Sequence, residues 1–116
     1  PNNARYHFYL AQSHKDSKHY DEAIKWYTKR IEMGGWYEEV WYSKLSLGDL
    51  YVAKDDWTKA LEWYLEAYEY NPDRAEPLHR IARYYRVHGQ KQLAYMFAKH
   101  GSKIPYPKNQ VLFISY

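Results

Sequence analysis

Three arginines on one predicted helix are the residues best suited to bind a charged ligand. Arg80, Arg83 and Arg86 recur at every third position, so they follow one another around one side of a helix. A guanidinium group can donate two parallel hydrogen bonds to a carboxylate or a phosphate. The stripe is predicted either to grip an acidic ligand or to be a solvated helix face partly paired with Glu76 and neighbouring acids.

The histidines and carboxylates do not form a metal-binding pattern. No two of the six histidines have the four-residue spacing of a helical zinc site. Asp55 and Asp56 precede Trp57 at a predicted helix start, where a carboxylate caps free backbone amides. We therefore predict helix capping for this pair, and no metal and no cofactor for the chain.

Nucleophilic catalysis is equally unsupported. Serines and threonines are scattered, and the sequence has neither the strand–turn–helix elbow of a hydrolase nor a glycine-rich phosphate loop. No catalytic residue is predicted, and we expect this stretch of 116 residues not to be an enzyme by itself.

Charge and cysteine usage narrow the class of protein. The 17 Lys and Arg residues exceed the 14 Asp and Glu by only three and form no basic tail, so no nucleic-acid partner is predicted. The absence of cysteine excludes disulfides and suits a reducing compartment. There is no membrane-spanning apolar run and no signal-peptide pattern, so we expect a soluble, cytoplasmic protein without a membrane partner.

Aromatic residues are abundant, with 15 Tyr and 5 Trp. Such rings combine a large apolar area with a polar tip, which suits packing between helices as well as stacking on sugars. Their helical spacing favours packing between helices.

An internal repeat organises the elements that carry these residues. Similar segments place Ala23, Ala60 and Ala94 at intervals of 37 and 34 residues, and a period near 34 is typical of helical-hairpin repeats. The three extra residues of the longer interval are expected in the segment around Gly34 and Gly35, since paired glycines end a helix readily.

Apolar spacing predicts two helices in each repeat. We place them at about 4–16, 20–33, 38–54, 57–70, 73–88 and 90–103. Asp73 and Glu76 are predicted to form a capping box, and His88 with Gly89 the last hairpin turn. The predicted organisation is a helical stack over 1–103, with repeats at about 4–37, 41–74 and 75–103, followed by an irregular tail over 104–116 that leads into a further region.

These patterns resemble the tetratricopeptide repeat. The middle repeat carries the family's large, small and turn residues at their usual spacing, namely Leu47, Gly48, Tyr51, Ala60, Tyr64, Ala67 and Pro72. The third repeat departs from the pattern at Ala98, and the first at His14 and Arg30. The resemblance implies an all-α fold of three antiparallel helical hairpins stacked as a short right-handed solenoid. It also implies that the module functions by binding a protein or peptide.

In such a solenoid the first helix of each hairpin lines a concave groove. Helical periodicity then predicts a set of groove residues: Arg5, Phe8, Gln12, Lys15, Tyr42, Leu45, Asp49, Val52, Glu76, His79, Arg80, Arg83 and Arg86. Tetratricopeptide modules that clamp chaperone C-termini use Lys and Asn at set groove positions. Here only Arg80 agrees with that pattern, so no chaperone-type clamp is expected.

A narrower resemblance covers nearly the whole chain. Short strings around Phe8, Arg30, Arg74 and Ile104 are similar to the helical region that follows a family 2 glycosyltransferase domain. This resemblance implies a catalytic domain upstream and an accessory, acceptor-presenting role for these helices, with Phe8 and Tyr42 stacking on sugar or peptide. Two functions are therefore expected as alternatives: a scaffold that binds a peptide, a neighbouring domain or a second copy, and the accessory domain of a glycosyltransferase.

Overall fold

The computed structural model describes residues 3–105 and contains six α-helices. They are α1 (Ala4–Asp16), α2 (Tyr20–Met33), α3 (Tyr37–Ala53), α4 (Trp57–Tyr70), α5 (Glu76–Val87) and α6 (Lys91–Ser102). No strand occurs within the described residues. The predicted all-α class is confirmed, and the bounds of α1, α2 and α4 agree with those expected from the sequence.

The helices pair as three hairpins. α1 packs on α2, α3 on α4 and α5 on α6, and further contacts of α2 with α3 and of α4 with α5 join the hairpins in series. The molecule measures 46 × 33 × 20 Å. Its smallest dimension fits two layers of helices, because one helix with its side chains is about 10–12 Å across.

The turn inside each hairpin has the same geometry. Lys18, Asp55 and Gly89 adopt left-handed backbone angles, with φ of 63°, 61° and 79°. The next residue in each turn donates its N–H to a carbonyl five residues back, at 2.8 Å in all three cases. These are the two marks of a Schellman helix end. The turns recur at the 37- and 34-residue intervals seen for the alanines, so the repeat is visible in the backbone as well as in the sequence.

Two clusters of buried side chains fill the space between hairpins. The first joins Phe8 and Tyr27 of the first hairpin to Leu47 and Leu50 of α3. The second joins Trp41 and Leu45 of α3, and Tyr64 of α4, to Ile81 of α5. Ala23 and Ala60 are completely buried and Ala94 is 8% exposed, as expected for small residues where two helices approach closely.

Two buried ion pairs accompany these clusters. Arg30 Nε on α2 donates to Glu39 Oε1 on α3 at 2.8 Å, and Arg30 is 1% exposed and Glu39 2%. Arg74 pairs with Glu76 through two hydrogen bonds of 3.1 and 2.6 Å, and its guanidinium lies 4.3 Å from the centre of the Trp41 ring. The first pair ties the first hairpin to the second.

The predicted capping box at Asp73 and Glu76 is wrong. α5 begins at Glu76 itself, with Pro77 within its first two residues. Proline is tolerated in the first turn of a helix but not beyond it, where its ring clashes with the preceding turn and a backbone hydrogen bond is lost. In a helix that began at Asp73, Pro77 would lie beyond the first turn, so the helix starts later than expected. Glu76 is 1% exposed and pairs with Arg74, which also removes it from the predicted groove.

The end of α2 and the start of α4 were also predicted from the sequence. α2 ends at Met33, and Gly34 and Gly35 both have positive φ, which confirms that the paired glycines end that helix. Asp56 accepts a hydrogen bond from the Lys59 amide at 3.2 Å and is confirmed as a helix cap. Of the predicted tail over 104–116, residues 106–116 lie outside the described residues.

Candidate functional site

An open cleft of about 580 Å³ lies between α3 and α5, above α4. We call it the α3–α5 cleft. Its lining combines charged, aromatic and aliphatic side chains, namely Asp49, Val52, Asp55, Tyr64, Arg80, Arg83, Tyr84, Val87 and His88. Four of these residues, Asp49, Val52, Arg80 and Arg83, were predicted to share a groove.

Asp49 is the point at which three helices meet in this cleft. Its Oδ1 accepts hydrogen bonds from the Tyr64 hydroxyl at 2.5 Å and from Arg80 Nε at 3.0 Å. Arg80 Nη2 lies 3.5 Å and Lys15 Nζ 3.9 Å from Oδ2. Since both oxygens already have cationic or hydroxyl partners, this carboxylate holds the cleft together and is not free to bind a ligand.

The electrostatics of the cleft centre follow from this arrangement. Burial raises the pKa of the Tyr64 phenol well above its ordinary value of 10.0, and the charge and hydrogen bond of Asp49 raise it further. Burial, the largest single effect, lowers the pKa of Arg80, but the charge and hydrogen bond of Asp49 and the charges of Tyr64 and Glu76 together raise it, and the net shift is upward. Tyr64 therefore stays a neutral hydrogen-bond donor, and Arg80 stays a cation neutralised by Asp49.

Among the described residues, Arg83 is an arginine of the cleft for which no ion pair is found. It is exposed on α5, and within residues 3–105 no carboxylate lies within 4.0 Å of its guanidinium. It is nevertheless close enough to Tyr64 to oppose the rise in the pKa of that phenol. Asp55, also exposed, lies on the rim. The Arg83 guanidinium is thus available to a carboxylate or phosphate from outside.

Stacked rings form one wall of the cleft. The Tyr84 ring lies between Trp57 and His88, at centroid distances of 3.7 and 3.9 Å and interplanar angles of 2° and 20°. Two exposed valines flank this wall, Val52 at 38% and Val87 at 69% exposure. An apolar surface therefore borders the free guanidinium, and a ligand can bury an apolar group while its acidic group meets Arg83.

Lys15 and Tyr42, two further predicted groove residues, lie beside the cleft. Lys15 Nζ is within ion-pair distance of Asp49 and lies 5.6 Å from the centre of the Tyr42 ring. Tyr42 in turn packs edge-on against Phe8, with the ring centroids 5.6 Å apart. These side chains connect α1 to the α3–α5 cleft.

Phe8 and Leu45 do not line a groove, so their prediction as groove residues is wrong. Phe8 is 3% exposed and packs beneath Leu47 and Leu50 of α3. Leu45 is fully buried in the cluster that contains Ile81 of α5. In each case the following hairpin covers the middle of the helix, and helical periodicity alone cannot show this.

The other predicted groove residues lie apart from the cleft. Arg5 is exposed near the start of α3, its guanidinium 4.8 Å from the centre of the Trp36 ring. His79 faces α6, since a Cβ at Gly101 would lie 3.2 Å from its Cε1. Arg86 and Gln12 are outside the described lining of the cleft. His79 is likewise outside that lining.

Sequence reasoning missed the aromatic wall. Tyr84 and His88 are four residues apart on one helix, a spacing that places side chains on the same face. Trp57 follows the turn of the preceding hairpin, and only the packing of α4 on α5 brings it to Tyr84. The sequence therefore contained the spacing of Tyr84 and His88, but it did not contain the contact between Trp57 and Tyr84.

Within residues 3–105 no group of three or more His, Cys, Asp or Glu side chains is placed to hold a metal ion. Among the six described helices none combines the length and the apolar character needed to cross a membrane.

Comparison with known proteins does not assign the chain to a family. No protein-family model matches it, and no curated protein matches it either. The tetratricopeptide and glycosyltransferase resemblances therefore stay predictions that rest on the residues themselves.

Proposed function

We propose that this chain is a non-catalytic, tetratricopeptide-type interaction module that binds an acidic segment of a protein partner in the α3–α5 cleft. The observation that carries the proposal is Arg83. Its guanidinium lies in the cleft without a carboxylate partner among the described residues, next to the half-buried Tyr84 ring and two exposed valines. This combination suits a peptide with acidic and apolar residues in alternation.

Repetition of the hairpin supports the scaffold part of the proposal. Each hairpin turn closes with the same left-handed residue and the same 2.8 Å hydrogen bond, and a small buried alanine recurs in the second helix of each pair. In our proposal the three hairpins stack as a right-handed solenoid, and α1, α3 and α5 line its concave side. Asp49 fixes the spacing of these three helices through Lys15 and Arg80.

Charge in the cleft supports an acidic ligand. Asp49 is neutralised by Arg80, so its negative charge does not cancel Arg83. The carboxylate of Asp55 lies on the rim, where solvent weakens its effect. A partner carboxylate at Arg83 gains a charge-assisted hydrogen bond, and its neighbouring apolar side chain covers Val52, Tyr84 or Val87.

Substitution of Arg83 tests the proposal. We expect Arg83→Gln to weaken binding of a short capped peptide of alternating Glu and Leu residues by about tenfold, because a hydrogen bond to a charged group contributes about 1.5 kcal/mol or more. Fluorescence anisotropy with a labelled peptide measures the change. A peptide with Lys in place of Glu should bind neither protein.

Arg86→Gln is the matched control, since Arg86 is exposed on the same helix but outside the described lining of the cleft. It should change the affinity by less than about threefold. Equal losses from the two substitutions would mean that the peptide senses only overall charge, and the proposed site would be wrong.

The accessory role in a glycosyltransferase remains the alternative. Of the two rings expected to stack on an acceptor, Phe8 is buried and Tyr42 half-buried, so neither offers the open face that sugar stacking requires. The acidic-peptide proposal therefore has the better structural support. The catalytic activity of a larger parent protein stays a prediction from the sequence.

A further inference from the structure

A second cleft, on the α4 and α6 side of the molecule, is apolar and open. It has a volume of about 780 Å³, and its apolar lining includes Leu65, Leu93, Tyr95 and Met96. The exposed fractions of these four side chains are 42%, 36%, 64% and 52%. We call it the α4–α6 cleft. A contiguous group of large, exposed apolar side chains usually marks a binding surface.

The chain leaves α6 at one end of this cleft. Lys103, the residue after α6, lines the cleft, as do His100 and Tyr68, whose side chains meet at 3.1 Å. The Ile104 amide still donates to Gly101 at 3.1 Å, which keeps the backbone close to the helix end. Pro105, the last described residue, therefore follows closely on a residue that lines the α4–α6 cleft.

The sequence after Pro105 has the composition that this cleft can accept. A polar stretch over 108–110 precedes four consecutive apolar residues, Val111, Leu112, Phe113 and Ile114. We propose that this apolar segment of the chain's own tail occupies the α4–α6 cleft and covers Met96 and Leu93.

The length of the linker permits this arrangement. Met96 lies six residues before Ser102, the last residue of α6, or about 9 Å along the helix at 1.5 Å per residue. The three residues from Ser102 to Pro105 add at most about 11 Å. Seven residues separate Pro105 from Leu112, and an extended chain spans at most about 3.3–3.6 Å per residue, or about 23 Å. The tail therefore reaches Met96 with slack for a turn, and it runs back along α6.

Disulfide trapping tests this proposal cleanly, because the chain contains no cysteine of its own. We expect the double variant Met96→Cys, Leu112→Cys of the full 116-residue chain to form an intramolecular disulfide on mild oxidation. Gel mobility without reductant and intact mass identify the product. In the control, Ala98→Cys replaces Met96→Cys.

Ala98 is a stringent control. It is exposed, lies closer than Met96 to the point where the tail begins, and is not among the described residues that line the cleft. If the tail occupies the cleft, the Met96 pair should close roughly tenfold faster or more, since docking raises the local concentration of the two thiols. Equal rates for the two pairs would overturn the proposal. So would disulfide-linked dimers as the main product of the Met96 pair, because a second copy would then be the occupant.

An NMR measurement gives a readout that does not depend on trapping. The chain has only two methionines, Met33 and Met96, so methyl labelling gives one signal from the end of α2 and one from the cleft. Leu112→Asp should shift the Met96 signal and leave the Met33 signal in place, which also shows that the fold is intact. An unchanged Met96 signal would contradict the proposal.

Discussion

Arg30→Met is expected to lower the free energy of unfolding by about 3–5 kcal/mol, because it leaves Glu39 buried without its cation. Arg30 Nε lies 2.8 Å from Glu39 Oε1, and both side chains are at most 2% exposed. Arg5, whose Nε lies 3.8 Å from Glu39 Oε2, is more than half exposed and compensates little. Denaturant unfolding followed by circular dichroism measures the loss.

The double variant Arg30→Met, Glu39→Leu is the control for this prediction. It removes both charges, and replacement of a whole buried ion pair by apolar groups is often neutral or stabilising. It should therefore recover most of the lost stability. If the free energy of unfolding of Arg30→Met lies within about 1 kcal/mol of that of the unsubstituted protein, this ion pair does not stabilise the contact between the first two hairpins.

Gly48→Ala is expected to destabilise the protein by about 2–3 kcal/mol, although alanine ordinarily favours a helix over glycine by about 1 kcal/mol. An added Cβ would lie 2.4 Å from Cε1 and 2.5 Å from Cδ1 of Tyr64. That ring cannot move aside easily, because it is 2% exposed and its hydroxyl donates to Asp49. α3 and α4 would have to separate. Thermal and denaturant unfolding measure the effect.

Two further variants distinguish this clash from a general effect of alanine. Gly101→Ala places a Cβ 3.2 Å from Cε1 of His79. Its loss in free energy of unfolding should therefore be smaller than that of Gly48→Ala. In a Tyr64→Leu background Gly48→Ala should cost at least about 1 kcal/mol less than in the parent, which a double-mutant cycle detects. Equal costs in both backgrounds would show that Tyr64 is not the obstacle.

The sequence revealed the helices and the repeat, because both depend on local patterns. Apolar spacing located α1, α2 and α4, and the alanine intervals matched the recurrence of the turns. The start of α5 was misplaced because the competing effect of Pro77 was not weighed against a capping motif. Signals of this local kind can be read from one sequence.

The cleft was only partly predictable, because its shape depends on contacts between hairpins. Arg30 stood out from the sequence as a residue at a usually small position, and its partner Glu39 was apparent only once α2 and α3 had packed. Phe8 and Leu45 have the periodicity of groove residues, yet the following hairpin covers them. Periodicity identifies one face of a helix but does not tell which part of that face stays open.

The most direct test of the proposed function is an NMR titration of the full chain with the capped peptide of alternating Glu and Leu residues. The account predicts saturable shifts of the Arg83 Nε–H signal and of the Val52 and Val87 methyl signals, which report on the α3–α5 cleft. The Met96 methyl signal, in the α4–α6 cleft, should stay in place. Saturable shifts at Met96 with an unchanged Arg83 signal, or no saturable shift at all, would contradict it.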